Sequence, residues 1–167
     1  MGKVRILVGN IVSDKILKNH DLIVNPTNPY MIAGGGVSGA IFHKAGINQL
    51  EEYTKEKYQG DYMKIGDVRI TPGFNLGMDI MFVQGPKFYE HEDPITLLLN
   101  VYKTMLNEIK NKNYKNVLLP SLGTGIYGYK HEEVGKLVYN LLKTFTEIND
   151  INIDLVLSSE EIIKYYN

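Results

Sequence analysis

Asp21-Leu22-Ile23-Val24-Asn25 runs through Pro26-Thr27-Asn28-Pro29-Tyr30 to Ala33-Gly34-Gly35-Gly36-Val37-Ser38-Gly39 and on to Ala45, and this stretch decides the fold. Its first five residues form a short apolar run of the kind buried on both faces of a sheet. Pro26 and Pro29 interrupt strand and helix alike, so Asn25–Tyr30 reads as loop. Beyond the glycines, Val37, Ala40, Ile41 and Ala45 fall near one face of a helix over Val37–Ala45, and Gly46 stops it. A strand, a glycine-rich loop and a helix in that order form the repeating unit of an α/β sheet.

The pattern continues in both directions. Val4–Val8 reads as a strand broken by Gly9-Asn10, and Ile47–Tyr58 as a second, more exposed helix. Lys64–Thr71 alternates as a strand does and ends at Pro72-Gly73, and Asp79–Gln84 is a buried-type strand closed by Gly85-Pro86. Leu97, Leu98, Val101, Met105 and Ile109 give Pro94–Lys110 a helical period. Asn116–Pro120 is a strand, Glu132–Glu147 a helix, Ile151–Leu157 a last strand, and Glu160–Tyr166 one or two helical turns. The expectation is a three-layer α/β/α sandwich with a mixed, mainly parallel central sheet.

Composition removes several function classes. A chain of 167 residues suits one domain. Its lack of cysteine excludes a disulfide scaffold, a thiolate nucleophile and Cys-ligated zinc, and fits a reducing, cytoplasmic setting. Net charge -1 supplies no global basic field, so no nucleic-acid partner is expected. No apolar run approaches the roughly 20 residues of a membrane span, so no membrane partner is expected either. His20, His43, His91 and His131 lack metal-ligand spacing, and neither a metal nor a cofactor is expected.

Ligands of open α/β sheets bind at the carboxyl ends of strands. Two glycine loops lie there, Ala33–Gly39 and Ser121-Leu122-Gly123-Thr124-Gly125-Ile126-Tyr127-Gly128. Glycine lets backbone N–H groups approach an anion closely, so two such loops on one edge can grip a diphosphate from both sides. Gly34-x-Gly36-x-x-Gly39 formally matches a dinucleotide fingerprint, but a proline-bearing segment separates it from its strand. No Walker lysine or nearby carboxylate follows either loop, which argues against nucleoside-triphosphate chemistry. The side-chain amides of Asn25 and Asn28 suit ribose hydroxyls, because an amide both donates and accepts. Asn25, at the strand's end, reads more simply as satisfying turn backbone, and Asn28, nearer the glycines, is the stronger functional candidate. Tyr127 is one of 12 tyrosines and on abundance alone reads as a surface aromatic.

At these loops the chain resembles the macro domain family, the ADP-ribose-binding α/β/α module, and its motif pattern is nearest the mono-ADP-ribosyl hydrolase type. The likeness is carried by Val8-Gly9-Asn10-Ile11, Ile23-Val24-Asn25-Pro26-Thr27-Asn28, Gly34–Ile41, Gly66–Gly73, Val83-Gln84-Gly85-Pro86 and Leu119–Gly128. The resemblance implies a single domain over residues 1–167, with ADP-ribose or an ADP-ribosylated protein as partner. It implies Asn28 as the catalytic candidate that positions the distal ribose. It also implies that Asn10, Ile11, Asn25, Gly34, Gly35, Gly36, Val37, Ser121, Leu122, Gly123, Thr124, Gly125, Ile126 and Tyr127 contact ligand, with Tyr127 orienting that ribose.

Three departures bear on the reading. Asn10 replaces the Asp that accepts from the adenine amine and so loses the charge-assisted component. Leu157-Ser158-Ser159-Glu160 stands where members often place an aromatic against adenine, and Ser38 stands where one hydrolase branch carries Asp. The expected activity is hydrolysis of mono-ADP-ribosyl linkages by substrate-assisted water attack. The alternatives are a non-catalytic reader of ADP-ribose or a related nucleotide and, resting only on the glycine fingerprint, an NAD-dependent oxidoreductase.

Overall fold

The computed structural model describes residues Met1–Asn167. Strands β1 (Val4–Val8), β2 (Leu22–Pro26), β3 (Val68–Thr71), β4 (Asp79–Val83), β5 (Asn116–Pro120) and β6 (Asn152–Leu157) form one sheet of order β1-β6-β5-β2-β4-β3. Neighbours are parallel from β1 through β4, and only edge strand β3 runs antiparallel, against β4. The mixed, mainly parallel sheet read from the sequence is the one observed.

Period-two alternation divides the apolar side chains between two layers. Leu22, Val24, Met81, Val83, Val117 and Leu119 face one side, while Ile23, Ile80, Phe82 and Leu118 face the other. Helices α4 (Pro94–Asn111) and α5 (His131–Ile148) cover the first side with Leu98, Val101, Tyr102, Met105, Val134, Val138 and Leu142. Helices α1 (Asp14–Leu17), α2 (Gly36–Ala45) and α3 (Ile47–Tyr58) cover the second with Leu17, Ile41, Phe42, Ala45 and Leu50. Burial of each large apolar side chain contributes about 1.5–3 kcal/mol, so the central strands, closed on both faces, are the stable base beneath the loops. Local signals set the helix ends. Asp93 accepts from the Thr96 N–H ahead of Pro94, and Gly46, at φ 112°, ends α2 with its N–H on the Phe42 carbonyl.

Several boundaries differ from the sequence reading. β2 continues through Pro26, because the next ladder donor is the Thr27 N–H, which bonds to the Val83 carbonyl. β3 starts at Val68 rather than Lys64. Asp67 accepts from the Lys64 N–H at 2.7 Å and folds that segment into a turn, which leaves Ile65 exposed. α1 is too short to carry a periodic signal. Glu160–Tyr165 is a 3-10 helix, as the tail pattern implied.

Candidate functional site

The parallel strands bring several distant segments to one edge. Asn10 follows β1, Ser158 follows β6, Ser121 follows β5 and Asn28 follows β2. From β2 the chain leaves toward β3 and β4, whereas from β5 it leaves through α5 toward β6. The β2–β5 boundary is therefore the point where the strand order reverses, and both glycine loops sit above it. Neighbouring strands lie about 4.8 Å apart, so the line from β1 to β2 spans about 14 Å. An elongated ligand with its middle over the loops fits that line.

Both loops present unpaired donors. The N–H groups of Gly34, Gly35, Gly36, Val37 and Ser38 bond to no protein acceptor, and neither do those of Gly123, Thr124, Gly125, Ile126 and Tyr127. The first set opens α2, whose leading N–H groups have no intrahelical acceptor and sit at the positive end of the helix dipole. Two sets of free N–H groups at the carboxyl ends of neighbouring strands have the chemistry to receive a doubly anionic group such as a diphosphate. A Cβ on Gly35 or Gly125 would meet nothing within 4 Å, so their backbones border open space. Gly36 at φ +58° and Gly123 at φ +83° need the left-handed conformation that glycine adopts without strain.

The loops are braced from below. Glu51 on α3 accepts the Ala33 N–H at 2.9 Å, and Thr54 donates to the Met31 carbonyl at 3.1 Å, which anchors the approach to the first loop. Gly39 packs against the Gly34 carbonyl so closely that a Cβ would collide with it. In the second loop, the buried Tyr102 hydroxyl accepts the Leu122 N–H at 2.8 Å.

Asn28 is half-buried, and its side chain is fixed by the turn that follows. Oδ1 accepts from the Tyr30 and Ile32 N–H groups, and Nδ2 donates to the Ile32 carbonyl, leaving one N–H of the amide free. Gly34 brings the first loop alongside, its Cβ position 3.8 Å from Asn28 Nδ2. Asn25 departs from the turn-backbone reading. It is fully buried at the end of β2, and neither amide atom has a partner. Its register opposite Phe82 puts its side chain on the face of the sheet that α1, α2 and α3 cover.

Tyr127 is not a surface aromatic. Its ring packs on the core of the α4–α5 layer, its hydroxyl receives a hydrogen bond from Gln84 Nε2 at 3.3 Å, and its carbonyl accepts the Phe88 N–H. Lys87 Nζ lies 5.8 Å from the ring centroid. Ile126 is 98% exposed at the loop tip, and Leu122 is buried. Ile11 is buried behind Asn10, whose Oδ1 accepts the Val12 N–H at 3.1 Å and whose amide is otherwise open. Ser38, at 9% exposure, has a hydroxyl without a partner.

Gln84, Glu51, Thr54 and Tyr102 hold the loop segments through hydrogen bonds that sequence reasoning missed. Only Gln84 carried a local signal, as the residue before Gly85-Pro86 at a strand's carboxyl end. No three His, Asp or Glu side chains cluster to hold a metal, and no helix is long and apolar enough to cross a membrane.

Comparison with known proteins identifies the architecture. The macro domain family model matches residues 24–138. A macro domain-containing protein of Caldanaerobacter subterraneus is 32% identical over 99% of this chain and 94% of its own length. An O-acetyl-ADP-ribose deacetylase of Pantoea vagans is 29% identical over 86% of this chain and 82% of its own. The Oceanobacillus iheyensis macrodomain solved with ADP superposes with TM-score 0.87 at 31% identity, covering 99% of this chain and 88% of that one. A single-substitution variant of it, solved with ADPR, gives 0.85. A family match over more than half of the chain, together with a whole-chain relative above 30% identity, shows that this chain belongs to the macro domain family.

Proposed function

We propose that the chain binds ADP-ribose across the β1–β2 edge and hydrolyses mono-ADP-ribosyl linkages, on proteins or as small ADP-ribose esters. The observation that carries this reading is the pair of unpaired N–H sets over the β2–β5 switch point, flanked by Asn10 toward one end and Asn28 toward the other. The names of the deacetylase relative and of the ADP- and ADPR-bound macrodomains support it. The diphosphate lies on Gly34–Val37 and Ser121–Tyr127, adenine toward Asn10 and Ile11, and the distal ribose between Asn28 and Tyr127.

The mechanism is substrate-assisted. A bound water, oriented by a phosphate oxygen, attacks the anomeric carbon of the distal ribose. The new C–O bond forms as the bond to the carboxylate breaks, and the carboxylate leaves with the bonding electron pair. The water's proton passes through the phosphate oxygen to solvent. Asn28 donates its free N–H to a ribose hydroxyl and holds the sugar in line. For this class of attack the protein supplies orientation and electrostatic preorganisation rather than a general base.

The absence of cysteine suits the cytoplasm, the compartment we assign. A non-catalytic reader is the second reading, favoured by the neutral Ser38 at the place where a hydrolase branch carries Asp. Incubation with an automodified mono-ADP-ribosylated protein decides between them. Released ADP-ribose, absent with Asn28→Ala, supports hydrolysis, whereas calorimetric binding without release selects the reader.

A further inference from the structure

Beneath the second glycine loop runs a chain of hydrogen bonds that leads away from the ligand. Thr124 Oγ1 donates to Ser121 Oγ at 3.0 Å, Ser121 Oγ lies 2.9 Å from Tyr166 Oη, and Tyr166 Oη lies 2.7 Å from His131 Nδ1. The chain joins the loop, the start of α5 and Tyr166, which caps the 3-10 helix Glu160–Tyr165. Tyr166 is 1% exposed, its ring packed in the α4–α5 layer and 5.7 Å from the imidazole.

A hydroxyl donates only one hydrogen, so the tautomer of His131 sets the direction of the whole row. With the proton of a neutral His131 on Nε2, Tyr166 gives its hydrogen to the bare Nδ1, Ser121 gives its own to Tyr166, and Thr124 donates to Ser121. Burial lowers the His131 pKa, which favours the neutral ring that this polarity needs. Every hydroxyl in the row is then committed inward. Ser121 becomes the loop's anchor, and only backbone N–H groups face the anion.

We propose that His131 and Tyr166 are positioning residues for the second glycine loop, which through Ser121 and Thr124 hold the N–H groups of Gly123–Tyr127 convergent before ligand arrives. The proposal rests on the ADP-ribose reading of the site. Its physical content is preorganisation, since a loop ordered in advance spares the ligand the cost of ordering it.

The intact chain tests it with Tyr166→Phe, His131→Leu and His131→Asn. Phenylalanine keeps the ring packing and removes only the hydroxyl. Asparagine can place Oδ1 near the position of Nδ1 and restore the acceptor, whereas leucine cannot. Tyr166→Phe and His131→Leu should weaken ADP-ribose binding about threefold to tenfold, the range of one lost hydrogen bond, while His131→Asn stays within about twofold of wild type. In ligand-free protein, the amide resonances of Gly123–Tyr127 should move in the two weakened variants and return in His131→Asn. If Tyr166→Phe binds as wild type does and leaves those resonances in place, the chain is packing alone and the proposal falls. Failure of His131→Leu to fold leaves the same judgement to Tyr166→Phe and His131→Asn. If wild type does not bind ADP-ribose, the ADP-ribose reading falls, and the loop resonances alone decide the coupling.

Discussion

Asn28 Nδ2 donates to the Ile32 carbonyl at 2.8 Å, and the same amide's Oδ1 receives the Tyr30 N–H at 3.0 Å. The turn therefore dictates which group Asn28 can offer to a ligand, a single N–H. Asn28→Asp keeps an acceptor for the Tyr30 N–H but loses both donors and adds charge near a diphosphate. Release of ADP-ribose should fall about a hundredfold, the order found when one transition-state donor is removed. A time course on a mono-ADP-ribosylated protein measures it, and activity within twofold of wild type would show that Asn28 does not orient the ribose.

The glycines divide by what surrounds them. Gly35 and Gly125 border open space, so Gly35→Glu and Gly125→Glu should leave the melting temperature unchanged and abolish ADP-ribose binding through bulk and charge. Gly39→Ala should instead lower stability by about 1–3 kcal/mol and weaken binding with it, because its Cβ would collide with the Gly34 carbonyl and displace the first loop. Thermal unfolding beside calorimetry separates the two classes. Full ADP-ribose affinity in both glutamate variants would move the site elsewhere.

Much of this was legible in the sequence because short-range signals dominate there. The apolar run Leu22–Val24, the glycines after it and the 3.6-residue period of Pro94–Asn111 each fall within one element. The strand order was not legible, since pairing depends on contacts between segments that share no local pattern. Likewise His131, Tyr166 and Ser121 meet across 35 and 45 positions, and nothing near any of them marks the others. Asn25 misled for a different reason. An asparagine before proline reads as a turn residue, yet ladder pairing carries the strand past it and buries it.

On the sheet face covered by α1, acid stability should depend on Asp154. Burial pushes its pKa up, but hydrogen bonds from Arg5 at 2.7 and 2.8 Å and from His20 at 2.7 Å outweigh that and hold it below the ordinary value of 3.8. The native state thus binds fewer protons than the unfolded chain. The contribution is complete above the ordinary value and is lost as pH falls through the folded one. Asp154→Asn should flatten the acid limb of stability against pH below about 4, as followed by urea unfolding across that range. An unchanged acid limb would show that Asp154 does not carry it.

Asn10 sets the last expectation, at the adenine end. Its Oδ1 caps the turn by accepting the Val12 N–H at 3.1 Å, a role that a carboxylate fills equally well, so Asn10→Asp leaves the local backbone in place. What changes is the acceptor offered to the exocyclic amine of adenine. A charge-assisted hydrogen bond is roughly twice as strong as a neutral one, and neutral bonds contribute about 0.5–1.5 kcal/mol. Asn10→Asp should therefore tighten ADP-ribose binding by about 1 kcal/mol, roughly fivefold. It should not tighten binding of the hypoxanthine analogue, which lacks the amine. Calorimetry with both ligands separates recognition of the base from a general electrostatic change, because added negative charge beside a diphosphate disfavours both alike. Equal weakening of the two ligands would mean that Asn10 does not read adenine, and that the base bound at the β1 end differs from the one assigned to it.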